Sequence, residues 1–103
     1  MFQLILCTCP NEQVAKQIAT SLVEEKLAAC VTLLPQVTSI YRWQDKVECE
    51  NEVQLIIKTT KEKFNLLSQR INILHPYDIP EIVALNIQQG NLQYLNWINE
   101  SLK

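Results

Sequence analysis

Four cysteines and one histidine are the side chains of this 103-residue chain best suited to soft-metal or thiol chemistry: Cys7, Cys9, Cys30, Cys49 and His75. No pair of cysteines has the Cys-x-x-Cys spacing of zinc ribbons or redox motifs. Cys7 and Cys9 stand two apart in an apolar run, so they share one face of a strand. That arrangement is a two-thiol clamp for a soft ion, without a second pair, and Pro10 ends the strand just beyond it. The competing reading is four free thiols, mostly buried, acting as small hydrophobes in a reducing cytosol. A cysteine nucleophile needs a base and an electropositive setting, and His75 is the only imidazole. One histidine also excludes zinc enzymes that take two imidazoles from one helix.

Carboxylates and aromatic rings form a second group. Glu48, Glu50 and Glu52 alternate, which places all three on one strand face. Such a stripe attracts hard cations, which take oxygen ligands, and it equally guards an exposed strand edge. Tyr41 and Trp43 share a strand face, and Tyr94 and Trp97 are one helical turn apart. All four read as packing or interface anchors, because Tyr and Trp combine large apolar area with one polar handle. Gly90 is the only glycine, so no phosphate-cradling loop, dinucleotide fingerprint or nucleophile elbow can be written. The formal net charge is −2, against the basic surplus of a phosphate-backbone binder, so nucleic acid is disfavoured as a partner. Apolar residues make up 48% and charged residues 19%, a globular balance. No apolar run reaches membrane-spanning length, and Met1 to Cys7 lacks the features of a secretory signal. A cytoplasmic protein with no membrane partner is the expectation.

The elements that position these residues follow from periodicity. Phe2 to Cys9 is a strand stopped by Pro10. Asn11 caps a helix whose apolar stripe, Val14, Ala15, Ile18, Ala19, Leu22, Val23 and Leu27, runs to about Lys26. Ala29 to Leu34 and Val37 to Trp43 form a strand interrupted at Pro35, which marks a bulge or an edge. Gln44-Asp45-Lys46 is the turn, and Val47 to Thr60 returns as a long strand, making a projecting hairpin. Lys61 to Leu74 is a helix that Thr60 can cap. His75 to Pro80 is an extended connector framed by prolines. Ile82 to Ile87 is a fourth strand, and Leu92 to Leu102 is a short helix capped at Asn91. The order β-α-β-β-α-β-α is an α+β fold, the ferredoxin-like split βαβ sandwich (βαββαβ), with an extended hairpin and an extra C-terminal helix in one domain, residues 1–103.

In that topology both long helices cover one face of the sheet, and the other face should be polar in a monomer. Here both strand parities are apolar: Leu4 and Leu6 against Ile5, Val83 and Leu85 against Ile82 and Ala84. The pattern predicts a closed homo-oligomer in which neighbouring copies bury the open faces.

Five segments, in order along nearly the whole chain, carry a family likeness: Glu25 to Val31, Ser39 to Trp43, Glu50 to Val53 with Lys58-Thr59, His75-Pro76-Tyr77 with Pro80-Glu81, and Tyr94 to Trp97. In these segments the chain resembles the CutA family, the divalent-cation tolerance proteins. The resemblance implies a small cytosolic homotrimer without enzymatic activity, binding Cu(II) or another divalent cation weakly. The residues that map to the metal site are Cys7, His75 and Glu81. Thiolate and imidazole suit copper and zinc, and a carboxylate can complete the set. Tyr41, Trp43, Glu50, Glu52, Lys58 and Trp97 fall to the trimer interface and its clefts, where Glu50 and Glu52 could pair with Lys58 or Arg42.

Three positions depart from the family pattern. Thr32 stands where Asn is common, Asp45 where the hairpin turn often has Gly, and Leu74 where some members place a second histidine. The alternative is a sensor or protein-anchoring scaffold of PII-like architecture, with a small molecule or partner protein in the intersubunit clefts and metal incidental. An acylphosphatase-like enzyme fails because the loop Cys9-Pro10-Asn11-Glu12 is acidic and lacks arginine. An RNA-recognition domain fails because the central strands carry aliphatics where stacking rings would be needed.

Overall fold

A computed structural model describes all 103 residues. Strand β1 (Phe2–Cys9) leads to helix α1 (Glu12–Glu24), then β2 (Cys30–Trp43) and β3 (Lys46–Thr60). A 3-10 turn (Lys61–Lys63) opens helix α2 (Phe64–Leu74), followed by β4 (Val83–Asn86) and α3 (Leu92–Ser101). The sheet is antiparallel with order β2-β3-β1-β4, the ferredoxin-like arrangement expected from the element order.

Register explains the projecting hairpin. β1 pairs with β3 only from Val53 to Thr60, whereas β2 follows β3 out to Trp43 and Lys46. The seven residues Lys46 to Glu52 therefore lie beyond β1, and the molecule is drawn out to 45 × 25 × 22 Å. The hairpin closes through Gln44 and Asp45 alone, both at positive φ (50° and 65°), so Lys46 already belongs to the strand. Two positive-φ residues are what a two-residue primed turn demands. β2 is an edge strand, and its register shifts between Leu34 and Val37, at Pro35 and the positive-φ Gln36. Proline at an edge breaks no interior ladder bond.

The core lies on one side. Ile5, Cys7 and Cys9 of β1 face the same way as their partners Ile57, Leu55 and Val53 on β3. They pack with Ala15, Ile18 and Leu22 of α1 and Leu67 and Ile71 of α2. Asn11 caps α1 by accepting the Val14 N–H at 2.9 Å, and Asn91 caps α3 by accepting the Tyr94 N–H at 3.0 Å. α1 ends at Glu24, two residues before the periodicity suggested, because Lys26 turns to φ 59° and Leu27 and Ala28 both donate back to the Leu22 carbonyl. Thr60 does not cap α2 with its side chain: a 3-10 turn intervenes, and α2 begins at Phe64 without a side-chain cap.

The opposite face carries Leu4, Leu6, Ile56, Leu34, Val83 and Leu85. Helix α3 covers only one end, where Leu95, Ile98 and Leu102 meet Phe2 and Ala29. Val83, Leu85 and Leu34 stay 49%, 48% and 42% exposed in the single chain. At about 25 cal/mol per Å² of apolar surface, this face favours burial against another surface.

Candidate metal centre and the adjoining cleft

The site forms where β1 ends under the connector. Strand alternation turns the Cys7 and Cys9 thiols to the core side, and α2 stops at Leu74 because Pro76 cannot continue it. The chain then crosses the end of β1, bringing His75 down beside the two sulfurs. One donor atom from each of Cys7, Cys9 and His75 lies within 4.8 Å of the others, and all three residues are buried.

The imidazole is held at both nitrogens. Nδ1 accepts the Tyr77 N–H at 3.1 Å, and Nε2 faces the Thr8 carbonyl at 2.7 Å. A backbone N–H can only donate and a carbonyl can only accept, so the network assigns the ring proton to Nε2. The Tyr77 ring lies against the imidazole, centroids 4.6 Å apart. The thiols titrate as a pair: a hydrogen bond to Cys9, then burial, hold the Cys7 thiol far above its ordinary value, while the same bond from Cys7 lowers Cys9. A thiol that keeps its proton is a weak nucleophile.

By donor type, two thiols and an imidazole fit a soft or borderline ion such as copper or zinc. The ring must release the Tyr77 N–H or the Thr8 carbonyl to ligate, and the thiols must give up protons. With those two changes the residues present fit such an ion.

The residues named from sequence divide into separate places. Cys7 and His75 come together, and Cys9 is the third donor. Glu81 is not among these donors: its carboxylate sits 3.5 Å from the Gln54 amide, on the rim of a neighbouring cleft. That cleft, about 620 Å³, opens between the hairpin and the connector and is lined in part by Tyr41, Trp43, Glu52, Tyr77, Asp78 and Glu81. Glu52 is buried there and accepts the Tyr77 hydroxyl proton at 2.8 Å. Glu50 stays exposed. Neither Glu50 nor Glu52 pairs with Lys58 or Arg42 within the chain. The Lys58 ammonium instead donates to Thr32 at 3.0 Å and lies 3.9 Å from the Cys30 sulfur. Trp97 stacks on Tyr94 with centroids 5.5 Å apart. The thiols are split: Cys7 and Cys9 are buried, Cys30 is half-buried and Cys49 is exposed on the hairpin, so burial is not general. Cys9 joins the cluster because residues two apart on a strand share a face, the one signal in the sequence that pointed to it.

The fold and site define a class: a small ferredoxin-like α+β protein with a projecting hairpin and a sulfur–nitrogen donor cluster at the end of its first strand. The chain belongs to the CutA family; the family model described as "CutA1 divalent ion tolerance protein" matches residues 3–101. Among its relatives, the divalent-cation tolerance protein CutA of Thermus thermophilus is 52% identical over 101 residues, covering 98% of each chain. Protein CutA of Homo sapiens is 48% identical over 93 residues, which are 90% of this chain and 52% of that longer one. Two solved structures superpose closely. The T. thermophilus protein does so with a TM-score of 0.96 at 51% identity and 98% coverage of both chains. The CutA protein from Archaeoglobus fulgidus does so with a TM-score of 0.97 at 37% identity and 100% coverage of both.

Proposed function

We propose that this chain is a cytoplasmic, non-enzymatic homotrimer that binds a divalent cation, with copper as the ion its donors suit best. The observation that carries the metal reading is the convergence of Cys7, Cys9 and His75 within 4.8 Å. The names of the relatives, divalent-cation tolerance proteins, support it. Cys7, Cys9 and His75 would hold the ion; Glu81, next to the Gln54 amide, stands outside that cluster. When bound, the ion supplies a fixed positive charge that keeps both thiols deprotonated. The protein's own part is to pin the imidazole, shield the sulfurs from water and present them on one strand face.

The homotrimer rests on the exposed apolar face of Leu34, Val83 and Leu85 and on the family likeness. Native mass spectrometry of full-length protein, purified without chelators or affinity-tag metal, tests subunit number and bound ions together. A trimer that takes up copper is the expected result. A 12 kDa-class monomer at micromolar concentration refutes the assembly. Equal copper affinity in wild type and in a Cys7→Ser, His75→Ala double variant refutes the metal site.

A further inference from the structure

The cluster at the end of β1 brings together Cys7, Cys9 and His75, and no carboxylate or further side-chain donor joins it. Both cysteines are wholly buried and His75 is 6% exposed. The thiols belong to the same apolar core as Ile5, Leu55 and Leu67, which keeps water from the sulfurs. β1 is regular through the pair: Cys7 stands opposite Leu55 and Cys9 opposite Val53, with no bulge between. Successive residues on one face of such a strand are about 6.4–6.8 Å apart. A disulfide needs Cβ atoms about 3.5–4.5 Å apart, so the strand holds these thiols out of reach of pairing with each other. One ion can still bridge them. Two thiolate bonds of about 2.3 Å each span about 4.6 Å, and the donor atoms of the cluster lie within 4.8 Å of one another.

We propose that the ion this cluster retains is monovalent copper, Cu(I), bound by the thiolates of both Cys7 and Cys9 and by the His75 imidazole. The inference rests on the metal reading above and adds to it the oxidation state and the role of Cys9. Donor softness selects Cu(I), because thiolates favour it over hard ions. Donor number separates it from zinc, which closes structural sites at four ligands or keeps water at an open fourth position. Here no fourth side chain is at hand and the sulfurs are shut away from solvent. Cu(II) favours a tetragonal set of nitrogen and oxygen donors, and the cluster offers a single imidazole. Cu(I) has a filled d shell, imposes no such geometry and is satisfied by two or three donors. On binding, the two thiol protons pass to solvent and no electron is exchanged, so copper stays Cu(I). The spacing along β1 keeps both thiols available as ligands, since neither can be consumed by a bond to the other.

The test is an anaerobic titration of the full-length protein with Cu(I) buffered by bicinchoninate, a chromophoric Cu(I) chelator, for wild type, Cys9→Ala and Cys49→Ser. Wild type should draw a single Cu(I) per chain from the chelator. Cys9→Ala should hold it about a hundredfold or more weakly, since losing even a group that supports a ligand costs about 10–100-fold. Cys49 is exposed on the hairpin, so Cys49→Ser should bind as wild type does, and a loss there overturns the inference. X-ray absorption of copper-loaded wild type does not depend on whether Cys9→Ala folds. It should show a Cu(I) edge with two sulfur neighbours and one nitrogen. A single sulfur neighbour, or equal affinity in folded Cys9→Ala, overturns the inference, as does displacement of Cu(I) by equimolar zinc. Uptake of Cu(II), seen by its paramagnetic resonance, without uptake of Cu(I) overturns this inference and leaves the metal reading standing; uptake of neither form sinks both.

Discussion

The Tyr77 hydroxyl donates to Glu52 Oε2 at 2.8 Å, joining the proline-framed connector to the hairpin strand across 25 residues of sequence. The same connector carries His75, whose Nδ1 accepts the Tyr77 N–H. Tyr77 thus holds the imidazole with its backbone and the cleft carboxylate with its side chain.

Removing that hydroxyl leaves a buried carboxylate without its donor. Tyr77→Phe should cost about 1.5–3 kcal/mol, the range for a lost hydrogen bond to a charged group. Urea unfolding at fixed protein concentration measures it, and an unchanged midpoint would show the bond to be without consequence.

The same group sets an alkaline limit. Burial, then the hydrogen bond and charge of Glu52, hold the Tyr77 phenol above its ordinary value of 10.0. Between the unfolded and folded values the folded chain binds more protons, so stability falls as pH rises. This contribution is complete below about pH 10 and is lost as pH climbs through the raised value. Stability in wild type should therefore decline more steeply above pH 10 than in Tyr77→Phe; parallel curves would contradict the assignment.

Thiol reactivity should follow burial. Iodoacetamide at pH 8 is expected to label Cys49 before Cys7 and Cys9, which lie within the core, with Cys7 held protonated by Cys9 and burial. Peptide mapping of a time course reads the order. Early modification of Cys7 would mean that the end of β1 opens readily.

The apolar face predicts where assembly can be broken. Leu85, 48% exposed in the single chain and paired with Leu4 on β1, should sit against a neighbouring copy. Leu85→Asp would place a charge in that contact and should shift the species in native mass spectrometry towards monomer. An assembly of unchanged mass and stability would remove this face from the interface.

The hairpin turn offers a gain. Asp45 holds φ 65°, a conformation that glycine adopts without steric cost. Asp45→Gly should stabilise the turn by about 1 kcal/mol. A lower melting temperature would show that the Asp45 side chain supplies more than its backbone strain costs.

Local pattern wrote most of the fold. Alternation marked Phe2 to Cys9 as a strand and placed Cys7 and Cys9 on one face. Three-and-four spacing marked α1, and Asn11 and Asn91 announced their caps. The apolar residues on both parities of β1 and β4 already foretold an open greasy face. These signals are legible because they depend on neighbours within a few residues. Fine boundaries were not, since the Lys26 cap and the 3-10 turn before α2 answer to packing at helix ends.

The site was decided by the tertiary structure. Sequence supplied Cys7 and His75, 68 residues apart, but only β1–β3 pairing and the path of the connector bring them together. The same path leaves Glu81 outside the donor cluster, on the cleft, and it turns Glu52 from one member of an exposed acidic row into a buried acceptor for Tyr77. No local periodicity encodes such meetings, because they arise from contacts between segments whose distance along the chain says nothing of their distance in space.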